Sequence, residues 1–184
     1  MAKFIAFLRA INVGGHVVKM DHLRRLFESL GFWNVETFIA SGNVLFEAKS
    51  KNVEGLEKQI EKKLKEALGY EVSTFIRTDA ELKEVMNYKP FPQSEIDAAT
   101  AFNIAFLKEP LDEKSTQKVM ALRTGIDDFH VHISEIYWLC QKKQSESTFS
   151  NAILEKTLGK PSTIRGITTV QKIGAKLLEQ LMGE

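Results

Sequence analysis

Residues 3–9, with the apolar run Phe4-Ile-Ala-Phe-Leu8, are β-prone and read as a buried strand. From Met20 the period changes. Met20, Leu23, Leu26, Phe27 and Leu30 recur at helical spacing, and Gly31 follows as a stop. Val35-Glu-Thr-Phe-Ile39 reads as a second strand, Ser41-Gly42-Asn43 as a turn, and Val44-Leu-Phe-Glu47 as a third strand. Val53, Leu56, Ile60, Leu64 and Leu68 mark a helix that ends at Gly69, and Glu71-Val-Ser-Thr-Phe-Ile76 is a further strand. The charged run from Glu54 to Glu66 then falls on that helix's solvated face. The order β-α-β-β-α-β is that of the ferredoxin-like unit.

The second half echoes the first in element order, not in residues. Thr78-Asp-Ala-Glu81 is a capping box that opens a helix to about Asn87. Pro90 and Pro92 break the pattern, so residues 88–98 read as a linker between a subdomain at 1–88 and another at 98–184. Phe102-Asn-Ile-Ala-Phe-Leu107 is a strand, and Asp112 to Arg123 a helix. Phe129, Val131 and Ile133 alternate with His130 and His132 before a turn at Ser134-Glu135 and the strand Ile136-Tyr-Trp-Leu-Cys140. Phe149, Ile153, Leu154 and Leu158 form a helix closed by Gly159. A last helix runs from Thr168 with Val170, Ile173, Leu177, Leu178 and Leu181 facing inward. The fold class is therefore α+β, two ferredoxin-like (βαββαβ-type) subdomains with an extra C-terminal helix.

Composition narrows the class. The 184 residues are 43% hydrophobic, enough for a substantial core, and 25 Lys and Arg against 24 Asp and Glu leave a formal net charge of +1. That balance argues against coating nucleic acid or an anionic membrane by bulk electrostatics. The single cysteine, Cys140, forms no internal disulfide and no cysteine-based zinc site, and suits a reducing cytoplasm. The opening apolar run is too short for a signal peptide or a membrane span.

Topology singles out one place for chemistry. In a ferredoxin-like unit the first and third strands are antiparallel neighbours. The end of the first therefore lies beside the start of the third. That brings Arg9, Asn12, Gly14 and Gly15, with Lys19 nearby, to Ser41, Gly42 and Asn43. Glycines let a ligand approach the backbone, and exposed N–H groups hold oxyanions. Arg9 adds a bidentate grip and Lys19 a point charge. The same residues also suit two ordinary turns and a solvated strand end. No Gly-Lys-Ser/Thr follows the glycines, and the dinucleotide spacing G-x-G-x-x-G is absent. A second candidate is Arg165, Thr168 and Thr169, at a helix N-terminus where free N–H groups favour an anion. Its plainer reading is an N-cap threonine beside a surface arginine.

Other reactive residues read as structural. Cys140 ends an apolar strand and suits an inert core thiol. His130 and His132 share one strand face, where they suit a polar outer surface better than a metal site. Asp127-Asp128 reads as a solvated turn, and Tyr137-Trp138 puts one ring on each face of its hairpin, where an exposed ring would mark a partner surface. The sequence names no cofactor and no metal.

Leu8-Arg-Ala-Ile-Asn-Val-Gly-Gly15 with Met20, Ile39-Ala-Ser-Gly-Asn-Val44, and Leu154-Glu-Lys-Thr-Leu-Gly159 followed by Arg165 and Thr169-Val170 together carry a resemblance. The chain closely resembles the bacterial family of domain of unknown function 1697 from about Lys3 to Leu181. The resemblance implies two ferredoxin-like subdomains and implies no activity. Members usually carry Asn-Trp after the Arg of the third motif, where this chain has Gly166-Ile167, and a Ser-Lys pair where it has Ser147-Thr148.

The leading expectation is a cytoplasmic binding protein for a small anionic, phosphate-bearing ligand at the loops after the first strand and before the third. The alternatives are an enzyme acting on such a ligand, and a nucleic-acid or protein interaction module. No membrane partner is expected, and either a monomer or a homodimer fits. The third strand lacks the basic start and paired exposed aromatics of an RNA-recognition module.

Overall fold

The computed structural model describes residues 1–39 and 42–183, and of Leu181 only the backbone. The chain divides into two compact units, Met1–Glu84 with Lys172–Glu184, and Val85–Gln171.

The first unit runs β1 (Ala2–Leu8), α1 (Met20–Glu28), β2 (Trp33–Thr37), β3 (Asn43–Ala48), α2 (Val53–Leu68) and β4 (Thr74–Thr78). Its sheet has the order β2-β3-β1-β4 with antiparallel neighbours, so β1 lies beside β3 as the topology requires. Phe4, Ala6 and Leu8 of β1 join Val44 and Phe46 of β3 under Leu23, Leu26 and Phe27 of α1 and Leu56, Ile60 and Leu64 of α2. Phe46 stacks on Phe4 at 5.4 Å and on Phe32 at 4.7 Å between ring centres. The opposite sheet face is also buried, with Ile5, Phe7, Leu45 and Phe75 almost wholly excluded from solvent. Burial on both faces explains why β1 is a continuous apolar run.

Helix α2 starts on Asn52, whose side chain accepts from the Gly55 N–H at 3.1 Å, and stops at Gly69 in a left-handed conformation. Its charged face corrects the expectation of simple solvation. Glu57 is buried, and its Oε1 accepts from the Ile76 N–H at 3.0 Å. Glu61 accepts from the Thr74 N–H at 3.2 Å. Strand β4 is at the sheet edge, so these outward N–H groups have no strand partner. The two glutamates satisfy them, which outweighs exposing both carboxylates.

Helix α3 (Asp79–Asn87) opens on the expected capping box: the Glu81 N–H donates to Thr78 Oγ1 at 3.1 Å, and the Thr78 N–H to Glu81 Oε2 at 2.8 Å. The second unit continues with α4 (Gln93–Ala98), β5 (Ala101–Phe106), α5 (Glu113–Met120), β6 (Asp127–His132) and β7 (Glu135–Cys140). It ends with α6 (Asn151–Leu158), β8 (Thr163–Gly166) and the start of α7 (Ile167–Met182). Its sheet order is β6-β7-β5-β8.

Strand β8 was not legible as a strand. Four residues including an arginine carry no periodicity, yet they pair antiparallel with β5, Ile104 opposite Arg165. The strand completes a second βαββαβ unit. Its start is braced by α6, where Glu155 accepts from the Ser162 N–H at 3.2 Å and Asn151 donates to the Ser162 carbonyl at 2.9 Å. Within the first unit, the end of α7 is tied by Lys176 to Glu36 at 2.9 Å and by Gln180 to Glu36 at 3.1 Å. No helix among the described residues is long and apolar enough to cross a membrane.

Candidate functional site

The end of β1 and the start of β3 meet through named contacts. Phe7 stands opposite Asn43, and the Leu8 N–H donates to the Gly42 carbonyl at 2.8 Å. Gly42 has φ +79, and a Cβ there would lie 2.7 Å from Ile11 Cγ2 and 3.1 Å from Leu8 Cβ. Only glycine lets the two loops close at this point. Gly14 and Gly15 also have positive φ, +70 and +84, but nothing lies within 4 Å of where a Cβ would be. They are glycines for backbone conformation, and the space beside them is open. Ala10 and Ile39 add two non-glycine residues with positive φ, a strained state for β-branched Ile39.

The polar residues hold these loops in shape. Asn12 Oδ1 accepts from the Val18 N–H at 2.8 Å. Asn43 is buried and donates from Nδ2 to the Phe38 carbonyl at 3.1 Å, beside a backbone bond from Phe38 N–H to Asn43 O at 2.9 Å. Arg9 is half-buried just past β1, and its N–H donates to the Ser73 carbonyl at 2.9 Å. The exposed His16 ring stacks on Tyr70 at 4.0 Å, and the Tyr70 hydroxyl donates to the Ile11 carbonyl at 2.9 Å. Ser41 lies outside the described residues.

Lys19 is exposed and occupies the N-cap of α1, making no side-chain cap bond. A lysine has no acceptor to offer there, so it leaves the first-turn N–H groups uncapped. Asp21, in that turn, is engaged by Arg24 at 2.6 Å and Arg25 at 2.8 Å. The glycine loop thus leads directly into a helix N-terminus with one cation at its start.

The second cluster differs from expectation. Arg165 is neither a surface residue nor part of a helix start. It lies within β8, 8% exposed, with its guanidinium donating to Thr163 Oγ1 at 2.7 Å and to the Ile164 carbonyl at 3.0 Å. Burial lowers it to about 10, so it stays charged at neutral pH. Thr168 is not the N-cap: helix α7 begins at Ile167, directly after Gly166, and Thr168 and Thr169 occupy its first turn. Residues alternate across a strand, so Arg165 and Gly166 point to opposite faces of the sheet.

One further group departs from the sequence reading. Asp127 is buried rather than solvated. It accepts from Trp138 Nε1 at 2.8 Å, from Ser147 Oγ at 2.8 and 2.9 Å, and from Thr124 Oγ1 at 2.9 Å. Burial pushes its carboxyl upward, but the donors from Trp138, Ser147 and Thr124 outweigh it and hold the group below its ordinary value. Tyr137 and Trp138 do point to opposite faces, but both are fully buried, so neither marks a partner surface. His130 and His132 are half-buried against Tyr88. Its ring stacks on His132 at 3.8 Å, and its hydroxyl lies 2.7 Å from His130 Nε2. Cys140 is buried, and burial raises its thiol. Among the described residues no group of three or more His, Cys, Asp or Glu could hold a metal.

The two sheets, each βαββαβ with helices between its strands, define an α+β protein of two ferredoxin-like units. A solved structure of the conserved bacterial protein SP0830 from Streptococcus pneumoniae shares this fold with a TM-score of 0.77. It is 24% identical, over 96% of this chain and 98% of that one. The family model described as protein of unknown function DUF1697 matches residues 1–137, and the chain belongs to that family. The match takes in both loops of the first site; the motif from Leu154 to Val170 lies beyond it. No curated protein matches the chain.

Proposed function

We propose that this is a cytoplasmic bacterial protein that binds a small anionic, phosphate-bearing ligand where the loop from Arg9 to Lys19 meets the turn before β3. The observation that carries the reading is the closure of the two loops on each other, through the Leu8 N–H to Gly42 carbonyl bond and the Ile11–Gly42 contact. Supporting it are the open space beside the left-handed Gly14 and Gly15, the cations Arg9 and Lys19, and an α1 start that Lys19 does not cap. A base-stacking surface on the central strands has less support, because Phe4, Phe7 and Phe46 are at most 2% exposed.

Thermal shift against nucleotides, sugar phosphates, coenzymes, short oligonucleotides and simple anions tests the reading. A ligand that binds only the folded state raises the midpoint in a concentration-dependent way. The expected result is a response to phosphate-bearing compounds that Arg9→Ala and Lys19→Ala remove while the unliganded midpoint stays nearly unchanged. A response confined to oligonucleotides, falling steeply with added salt, replaces the reading with strand binding. A response unchanged in both variants moves the ligand away from these loops.

A further inference from the structure

Ile11 and Val18 are buried in the core of the first unit, and Asn12 Oδ1 accepts from the Val18 N–H at 2.8 Å, so residues 13–17 project between two anchors. Within them the His16 N–H donates to the Val13 carbonyl at 3.5 Å, which folds Gly14 and Gly15 into the corners of a turn. His16 is exposed, yet its ring is held from behind. It stacks on Tyr70 with 4.0 Å between ring centres and 27° between planes, and the Tyr70 hydroxyl donates back to the Ile11 carbonyl at 2.9 Å. With Tyr70 on one face, the solvent exposure of the imidazole lies on its other face and edge.

The loop around this ring offers two more kinds of contact. Val13 and Val17 are 62% and 84% exposed, an apolar surface open to solvent on the same short loop. No carboxylate occurs from Arg9 to Lys19, both ends are cationic, and the space beside Gly14 and Gly15 is open. A ligand that is only an anion uses the cationic turn and leaves the ring and the valines bare. A nucleotide uses all three, with apolar and π contact for its base and an acid-free turn for its phosphate.

We propose that the ligand of this loop is a nucleotide, with its base stacked on the outer face of His16 and its phosphate at the Gly14–Gly15 turn between Arg9 and Lys19. The inference rests on the anion site proposed above and names the class of ligand it takes. Because Tyr70 already holds the imidazole, stacking a base on it costs little ordering of the side chain. The contact is made through the π-face that every base has, so the platform accepts purines and pyrimidines alike. Gly15 and His16 are adjacent in the chain, so base and phosphate are held by neighbouring residues.

Calorimetric titration of the full-length protein with adenosine monophosphate, ribose phosphate and adenosine tests it. The nucleotide is expected to bind about tenfold or more tighter than ribose phosphate, the scale of one base stacked on an aromatic ring, and adenosine more weakly than the nucleotide. His16→Ala brings the nucleotide down to the level of ribose phosphate, and His16→Phe, which keeps a flat face, restores the difference. His16 is exposed, so neither variant disturbs the core. The nucleotide also moves the His16 ring-proton resonances upfield as the base covers the ring. Equal affinities for nucleotide and ribose phosphate, both lost in Arg9→Ala, overturn the base platform and leave the anion site standing. Nucleotide and ribose phosphate weakened alike by His16→Ala overturn it too, because the ring then only shapes the loop. Adenosine as tight as the nucleotide overturns the anion site and this inference with it, and so does the absence of binding by all three.

Discussion

The indole N–H of Trp138 donates to the carboxylate of Asp127 at 2.8 Å, joining the first residue of β6 to the centre of β7. Ser147 and Thr124 complete the shell, and Ser147 Oγ also accepts from the Phe149 N–H at 2.9 Å. The carboxylate thus holds together two loops and a strand under the rings of Trp138 and Phe149, which meet at 4.7 Å. A buried carboxylate is tolerated because every donor around it favours its charged form.

Asp127 therefore links stability to acid. Its folded carboxyl titrates below its ordinary value of 3.8, so its contribution is fully present above that value. The contribution is lost as pH falls through the lower folded value. Asp127→Asn should destabilise the protein by about 2 kcal/mol at neutral pH, the scale of hydrogen bonds to a charged group. Urea unfolding between about pH 2 and 6 should show a shallower acid loss in the variant than in the wild type. Parallel curves would refute the assignment.

Gly42 and Gly14 separate two reasons for glycine. Both have positive φ, but a Cβ at Gly42 would collide with Ile11 Cγ2 at 2.7 Å, and one at Gly14 meets nothing. Gly14→Ala should cost only the backbone strain, about 1 kcal/mol. Gly42→Ala should cost roughly 2–4 kcal/mol, because overpacking adds to that strain. Equal losses in denaturant midpoint would mean that the two loops are not held in contact.

His130 is a second pH-dependent group. Burial lowers it first, and His132 adds to the shift, while Asp128 opposes it. The neutral ring, 2.7 Å from the Tyr88 hydroxyl, is thus the form the fold prefers. Because the folded value is lowered, stability is intact above the ordinary value of 6.5. It declines as pH falls below that value, until the folded ring itself takes up a proton. Carbon-detected titration of the imidazole should place His130 below a free histidine, and His130→Gln should remove the corresponding slope. A ring that titrates at or above the free value would contradict this account.

Local signals carried much of the fold. Gly69 and Gly159 end their helices in left-handed conformations, as glycines after an apolar helical stripe should. The Thr78–Glu81 capping box is a contact between residues three apart, and such contacts are written into the chain. The neighbourhood of β1 and β3 was also legible, because the element order of a ferredoxin-like unit permits little else, and it brought Gly42 to Leu8.

What sequence could not supply is the sign of burial for a polar side chain. Arg165 read as a surface residue and Asp127 and Glu57 as solvated ones, and all three are buried. Each is buried by partners distant in the chain: Trp138 for Asp127, the edge N–H of Ile76 for Glu57, the pairing with β5 for Arg165 and β8. The sequence by itself determined the elements, their order and the loops that had to meet, because apolar period and chain topology are local or combinatorial facts. Only the tertiary structure decided which polar groups leave water, because desolvation is favourable only where a partner from another element stands within hydrogen-bonding reach.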